Sequence, residues 1–209
     1  YNCLSSILES TKGIPYEIIV ADDHSGDMTV ALPKIVCGIH VIRNNKNMRF
    51  LKNCNNAAAY ARGKYILFLN NDTYVLPGWL KELLSIAEND ENVGMVGSKL
   101  IYPDGRLQEA GGIVWSDASA WNFGYGQMSG APVYNYVKEA DYISGASIMI
   151  RRDLWEEIGG FDEHFAPAYY EDTDLAFEVR KHGHKVIYTP FSQVVHFEEI
   201  KELLEKAEG

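Results

Sequence analysis

Four segments carry side chains suited to chemistry. The apolar run Tyr65–Leu69 reads as a strand buried on both faces, and it stops on Asn70-Asn71-Asp72. A carboxylate on a short turn at a strand's end can hold a divalent cation through oxygen ligands, and the cation can then bridge a diphosphate. The same three residue types are ordinary turn formers, and the tripeptide alone does not choose between the two roles. His196, in FSQVVHFE, also ends an apolar strand. Its imidazole can ligate a metal, and as a lone histidine it can equally be a packed core residue. In AYYEDTDLAFEVRKHG, Glu171, Asp172 and Asp174 crowd the first turn of a helix, where the macrodipole favours negative charge. Charge compensation accounts for acids there, but the aromatic, proline-containing approach HFAPAYYED adds an apolar wall. A carboxylate against such a wall has a raised pKa and suits general-base work. The fourth segment, VADDHSGD, places Asp22, Asp23 and Ser25 in a turn after a short strand. Carboxylates there can accept from a base N–H or a ribose hydroxyl, and the same residues also make a plain Asx or Ser turn.

These segments need strands and helices to position them. Leu4, Ile7 and Leu8 at helical spacing predict a helix before YEIIVADD, a short buried strand. GIHVIRN gives a second strand, NCNNAAAYARG a helix with Gly63 as its C′ residue, and KYILFLNND a third strand. Pro77 then opens the helix PGWLKELLSIAEN. Strands alternating with helices up to about residue 98 predict an α/β layer architecture with a mostly parallel sheet. Ligands bind such sheets at the carboxyl ends of strands, so ADDHSGD and NNDT are expected to face one crevice. Beyond residue 98 the texture changes to two strands around a Pro-Asp-Gly turn, then an aromatic Gly/Ser-rich loop reaching about residue 136. A strand and short helix follow, then a helix ended by Gly183, a last strand, and a charged amphipathic helix in the tail EEIKELLEKAEG.

The bulk composition narrows the partners. With 19 Lys+Arg against 29 Asp+Glu, the formal net charge of −10 excludes a general polyanion binder and predicts no nucleic-acid partner. A phosphate ligand would need a metal or a few local cations. Cys3, Cys37 and Cys54 have neither CxxC spacing nor even number, so they read as reduced thiols of a cytoplasmic protein. No apolar run approaches the ~18 residues that span a bilayer, and the N-terminus does not read as a signal peptide.

In order along the chain, ADDHSGD, the Asn-rich stretch NNKNMRFLKNCNNAAAYARGKYILFLNNDTYVLPGWL, GASIMIRRDLWEEIGGFDEHF, YYEDTDLAFEVRKHG and QVVHFE resemble the inverting family-2 glycosyltransferases of the GT-A fold. DGRLQEAGG and YNYVKEADYISGA bring the likeness nearest to bacterial transferases that build O-antigen or other surface polysaccharides. The resemblance implies a Rossmann-like, mixed and mostly parallel sheet flanked by helices. It implies one continuous domain of two fused halves, residues 1–98 for the nucleotide-sugar and 99–209 for acceptor and catalysis. It further implies transfer of a hexosyl or deoxyhexosyl group from a nucleotide-diphospho-sugar to a saccharide or lipid-linked saccharide, at the inner face of the membrane with the parent protein peripherally associated.

The same resemblance assigns roles residue by residue. Asp22 and Asp23 contact the base and ribose, with Ser25 of the same motif among the nucleotide-binding residues. Asn71 lies near the ribose, Asp72 ligates Mg2+ or Mn2+, and His196 is the additional metal ligand. Asp172 is the catalytic base, with Glu171 beside it as the second choice. Asn70 is expected only to form the turn. Arg49-Phe50 replaces a common Gly-Phe, which places a cation within reach of the base or a phosphate. The family's opening strand, of the type V-x-V-I-I-P-x-Y-N, has no counterpart from Tyr1 onward, so the sheet is expected to lack it. A sugar-nucleotide pyrophosphorylase, the rival of the same fold, would need a Gly-rich loop with Arg and Lys that is not visible. The rival of a different class is a non-catalytic sugar- or partner-binding domain.

Overall fold

The computed structural model describes residues 1–198. In chain order the elements are α1 (Asn2–Ser10), β1 (Ile18–Asp22), α2 (Leu32–Ile35), β2 (Ile39–Arg43), α3 (Arg49–Ala58), β3 (Tyr65–Leu69), β4 (Thr73–Val75), α4 (Trp79–Asn89), β5 (Val93–Ile101), β6 (Leu107–Glu109), β7 (Gly112–Val114), β8 (Ala120–Asn122), β9 (Lys138–Glu139), β10 (Ser147–Arg151), α5 (Arg152–Ile158), α6 (Glu171–Lys181) and β11 (Lys185–His196). The amphipathic tail helix expected after Glu198 lies outside the described residues.

The strands form a seven-stranded sheet with the path β3-β10-β5-β11-β4, in which β6 joins β5 and β9 joins β11, and two two-stranded sheets, β1-β2 and β7-β8. The α/β architecture is as expected, and the sheet is mixed, but its parallel share is smaller than the alternation of strands and helices implies. Among the described residues only β1-β2 and β5-β11 pair in parallel. Between β5 and β10 the chain returns through hairpins instead of a crossover helix, so β10 enters antiparallel to both β5 and β3. β3 is also less buried than a two-faced strand should be. Among the described residues it pairs only with β10, and only Ile66 of its five residues is fully buried. Likewise β1 pairs only with β2.

The core divides across the large sheet with period two. Ile148 and Ile150 of β10 point into one apolar cluster with Leu51, Leu154 and Leu175 from the helices on that face and Phe161 from the segment after α5, while Met149 points into the other with Trp79 and Leu83 of α4. At roughly 1.5–3 kcal/mol per large apolar side chain, these faces dominate the stability of the scaffold. Two glycines permit a close approach that matters for the site. A Cβ on Gly97 of β5 would lie 2.0 Å from Ile143 Cγ2, and one on Gly112 of β7 would lie 2.0 Å from the Tyr142 ring. The segment leading into Ser144-Gly145-Ala146 is therefore pressed against the sheet by its two preceding side chains.

Helix α3 corrects one boundary. It starts at Arg49, four residues before NCNN, because Asp23 accepts the Met48 and Arg49 backbone N–H groups at 2.7 and 2.8 Å. It ends at Ala58 and not at Gly63, whose φ is not left-handed. Arg62, beyond that end, is held by Glu17, which accepts its backbone N–H at 2.7 Å and its guanidinium at 2.8 and 3.0 Å. Gly183, by contrast, ends α6 as expected, with φ +84°.

Candidate active site

Asp72 and His196 meet where β3 ends and β11 ends. His196 is 4% exposed, and its Nε2 lies 3.2 Å from Asp72 Oδ1. Gln108 of β6 settles which ring nitrogen faces Asp72. Its Nε2 donates to Glu198 Oε2 at 2.7 Å, which leaves Oε1 to accept from His196 Nδ1 at 3.0 Å. In the neutral ring the proton is therefore on Nδ1, and Nε2 presents its lone pair toward Asp72. Asn70 Nδ2 approaches the same Nε2 at 3.4 Å, so this residue does more than form the turn. Its carbonyl still makes the turn, accepting from Thr73 Oγ1 at 2.6 Å. Asn71 is exposed at the tip.

These residues fit a hard divalent cation. A carboxylate oxygen and an imidazole nitrogen separated by 3.2 Å match adjacent ligands of an octahedron, which lie about 3 Å apart when the bonds are roughly 2.1 Å. Among the described residues no cluster of three or more His, Cys, Asp or Glu side chains could hold a metal. A cation here would take two protein ligands and complete its shell from water and a ligand's phosphate oxygens, as Mg2+ usually does. Replacing Gln108 with Ala frees the His196 ring to turn, so the expected result is a 10–100-fold weaker affinity for Mn2+. Mn2+ titration followed by electron paramagnetic resonance in the presence of a nucleoside diphosphate measures it.

Asp172 sits at the start of α6, half-buried, while Glu171 is 6% exposed. Asp172 Oδ2 accepts the Gly145 N–H at 2.9 Å, and Oδ1 accepts the Thr173 N–H at 2.7 Å. Burial raises the Asp172 pKa above the usual aspartate value, and those hydrogen bonds only partly oppose it. Burial raises Glu171 as well, with the neighbouring Asp172 charge adding to it. The backbone just before them is strained: Tyr169 and Tyr170 hold φ of +81° and +69°. The left-handed region costs a non-glycine residue of order 1 kcal/mol or more, and such strain gathers at functional sites.

Two short segments tie these ends together. In Ser144-Gly145-Ala146, Ser144 N–H donates to Glu109, Gly145 N–H donates to Asp172, and the Ala146 carbonyl accepts from Asn70 N–H at 3.1 Å. In Gln108-Glu109, the first side chain reaches His196 and the second reaches Ser144. The carboxylate at the start of α6 and the Asp72–His196 pair thus share one framework. Neither Gln108 nor Glu109 is among the residues singled out from the sequence.

Asp22, Asp23 and Ser25 close the end of β1, and the protein itself engages them. Asp22 is 2% exposed, forms an ion pair with Arg43, and accepts the Ser25 N–H at 2.9 Å. Burial pushes its pKa up, but Ser25 and Arg43 outweigh burial and leave it below the usual range. Asp23 accepts from Asn44 Nδ2 and from the first amides of α3. Asn44, Asn53 and Asn56 interlock, and Asn53 reaches the Ala21 carbonyl at 3.1 Å, which explains the asparagine-rich stretch as a scaffold for this turn. Arg49 holds φ +67°, the conformation that glycine adopts freely, so the arginine here keeps a glycine's backbone while adding a cation. It lines a cleft of about 440 Å3 with Lys46, Lys52, Ala166 and Pro167. Phe50, the next residue, packs toward Phe161, and a Cβ on Gly145 would lie 3.7 Å from its ring and 3.8 Å from Asp172 Oδ2. The β1 turn and Asp172 therefore flank the same helix, α3. Among the described residues no helix is long and apolar enough to cross a membrane.

Comparison with known proteins follows the same lines. The model of the family described as Glycosyl transferase family 2 matches residues 1–159. The O-antigen biosynthesis protein RfbC of Myxococcus xanthus is 36% identical over 149 residues, which is 68% of this chain and 12% of that protein. The N-acetylglucosaminyl-diphospho-decaprenol L-rhamnosyltransferase of Mycobacterium tuberculosis is 26% identical over 147 residues, 63% of this chain and 46% of that protein. The chain thus spans less than half the length of either relative. Among solved structures, GalNAc-T7 with UDP, GalNAc and Mn2+ superposes with a TM-score of 0.77 at 15% identity, covering 93% of this chain and 40% of that one. The likeness establishes the GT-A fold.

Proposed function

The chain belongs to glycosyl transferase family 2, and from that premise we propose that it is a metal-dependent, inverting glycosyltransferase acting on a nucleotide-diphospho-sugar. The observation that carries this reading is the framework of Gln108-Glu109 and Ser144-Gly145-Ala146, which joins a two-ligand metal site to a carboxylate poised as a base. Residues 1–98 provide the nucleotide-sugar half and residues 99–209 the acceptor half. Asp22, Asp23, Ser25, Arg49 and Asn71 serve the nucleotide end, and Asp72 with His196 would hold Mg2+ or Mn2+. Bound there, the cation supplies neutralisation of the negative charge that develops on a departing diphosphate.

Asp172 takes the proton of the acceptor hydroxyl as that oxygen attacks the anomeric carbon. The anomeric C–O bond to the diphosphate breaks with its electron pair leaving on the diphosphate. A single displacement inverts the anomeric centre and needs one base and no protein nucleophile. Gly145 and Thr173 hold the two carboxylate oxygens, so the base is aimed before the acceptor arrives. The names of the relatives favour a saccharide or lipid-linked saccharide acceptor in bacterial surface-polysaccharide synthesis. Lys46, Arg49 and Lys52 provide local cations for an anionic substrate in a chain of net charge −10.

The test is a panel of UDP-glucose, UDP-N-acetylglucosamine, GDP-mannose and dTDP-rhamnose with Mn2+, assayed for release of the nucleoside diphosphate. The released or transferred sugar is followed by proton NMR before mutarotation. Metal-dependent turnover of one donor with inverted configuration supports the reading. Turnover with retained configuration removes the single-displacement mechanism.

A further inference from the structure

Glu109 is the most deeply buried acid near the site. It is 0% exposed, on the short strand β6, and its Oε1 accepts the Ser144 N–H at 3.0 Å. Its Oε2 is equally buried and has no hydrogen-bond partner among the described residues. An ionised carboxylate with one bare oxygen in such a place would be very costly, whereas a protonated one loses far less. The groups facing it are Asp172 from α6, Lys138 from β9, Tyr142 from the segment before Ser144, and Tyr188 from β11. Lys138 is itself held by rings, with its Nζ 3.7 Å from the centroid of Phe123 and 5.6 Å from that of Tyr188. Burial, with the Asp172 charge adding to it, raises Glu109 to about 8, against weaker opposition from the Ser144 N–H and Lys138.

The position of its one hydrogen bond gives Glu109 a task. Ser144 and Gly145 are consecutive, and their N–H groups are given to Glu109 and Asp172 respectively. Fixing the first amide fixes the peptide plane that carries the second. We propose that Glu109 is a positioning residue for the transfer step, acting on Asp172 through the Ser144–Gly145 backbone and doing so as the neutral acid. An uncharged partner holds the loop without adding a second negative charge beside the base. Ionisation of Glu109 would do the opposite, raising the proton affinity of Asp172 and loosening its alignment.

The inference rests on Asp172 as the base, so its test includes a readout that needs no turnover. The Gly145 amide resonance in nitrogen-15 spectra, followed from pH 3 to 10, is expected to move in two steps. The lower one accompanies protonation of Asp172, above the usual aspartate value, and the upper one falls near pH 8 as Glu109 ionises. Glu109→Gln should remove the upper step and keep the lower, while Asp172→Asn should remove the lower. In donor turnover with the four nucleotide-sugars above, Glu109→Gln should keep the neutral-pH rate within about threefold and lose the alkaline decline of the wild type. Glu109→Ala should lower kcat by roughly 10–100-fold with the donor KM little changed, as expected for a misaligned base. An unchanged upper step in Glu109→Gln overturns the proposal, as does an unchanged kcat in folded Glu109→Ala. If Asp172→Asn leaves turnover intact, the base assignment fails instead, and the two failures are distinct.

Discussion

Asp172→Asn is expected to lower the rate of transfer by roughly 10²–10⁴-fold while leaving donor affinity within about threefold of the wild type. The amide keeps an oxygen for the Gly145 N–H, which now lies 2.9 Å from Oδ2, so the loop should stay in place. What it loses is the capacity to take the acceptor proton. The contrast between kcat and donor binding is the informative part, because a structural role for Asp172 would weaken both. The pH dependence has a fixed sign. The base must be ionised to work, and burial has raised its pKa, so the rate should fall as pH drops through a value above the usual aspartate range. The fold responds in the opposite sense. A carboxyl with a raised pKa contributes stability below its unfolded-state pKa and loses that contribution as pH rises through the folded value. Measuring kcat and unfolding midpoints across pH 4–7 in the wild type and Asp172→Asn separates the two effects.

The second large effect is expected at the metal end. Asp72→Ala and His196→Ala should each abolish detectable Mn2+ binding at micromolar metal and lower transfer by more than about 10²-fold, since charge neutralisation at a diphosphate contributes several kcal/mol. The two variants should differ in their side effects. His196 is buried and bonded to Gln108, so its loss leaves the Gln108 oxygen without its partner and should lower stability by about 1–3 kcal/mol. Asp72 is less buried, and its removal should be mild for the fold. Thermal unfolding with and without Mn2+ reads both quantities, because a cation that binds only the native state raises the midpoint.

The residues that the sequence made visible share a property: each closes a strand or opens a helix, where a polar side chain interrupts an apolar run. Asp72, His196 and Asp172 stand out for that reason, and the structure places them around one framework. Gln108 and Glu109 have no such signal. They lie in a three-residue strand, and their partners His196 and Ser144 are 88 and 35 positions away, so their role exists only after the chain has folded. Asn70 was hidden differently, because a turn former and a side chain reaching His196 look the same in a tripeptide. The fold was legible where local alternation reports it, through α4. It was less so between β5 and β10, where hairpins reverse the chain and convert the expected parallel order into antiparallel pairing. Gly63 misled because the chain beyond α3 is tied by Arg62 to Glu17, a long-range partner that no helix signal encodes.

The central claim is that Asp72 and His196 form a metal-dependent seat for a nucleoside diphosphate. Isothermal titration of the chain with UDP, GDP and dTDP, each with Mn2+ and again with chelator, tests it most directly. The account predicts that at least one nucleotide binds in the presence of Mn2+, that chelator abolishes the binding, and that Asp72→Ala abolishes it while the chain remains folded. Binding that survives both chelator and Asp72→Ala, or a folded chain that takes up none of the three with metal present, would contradict it.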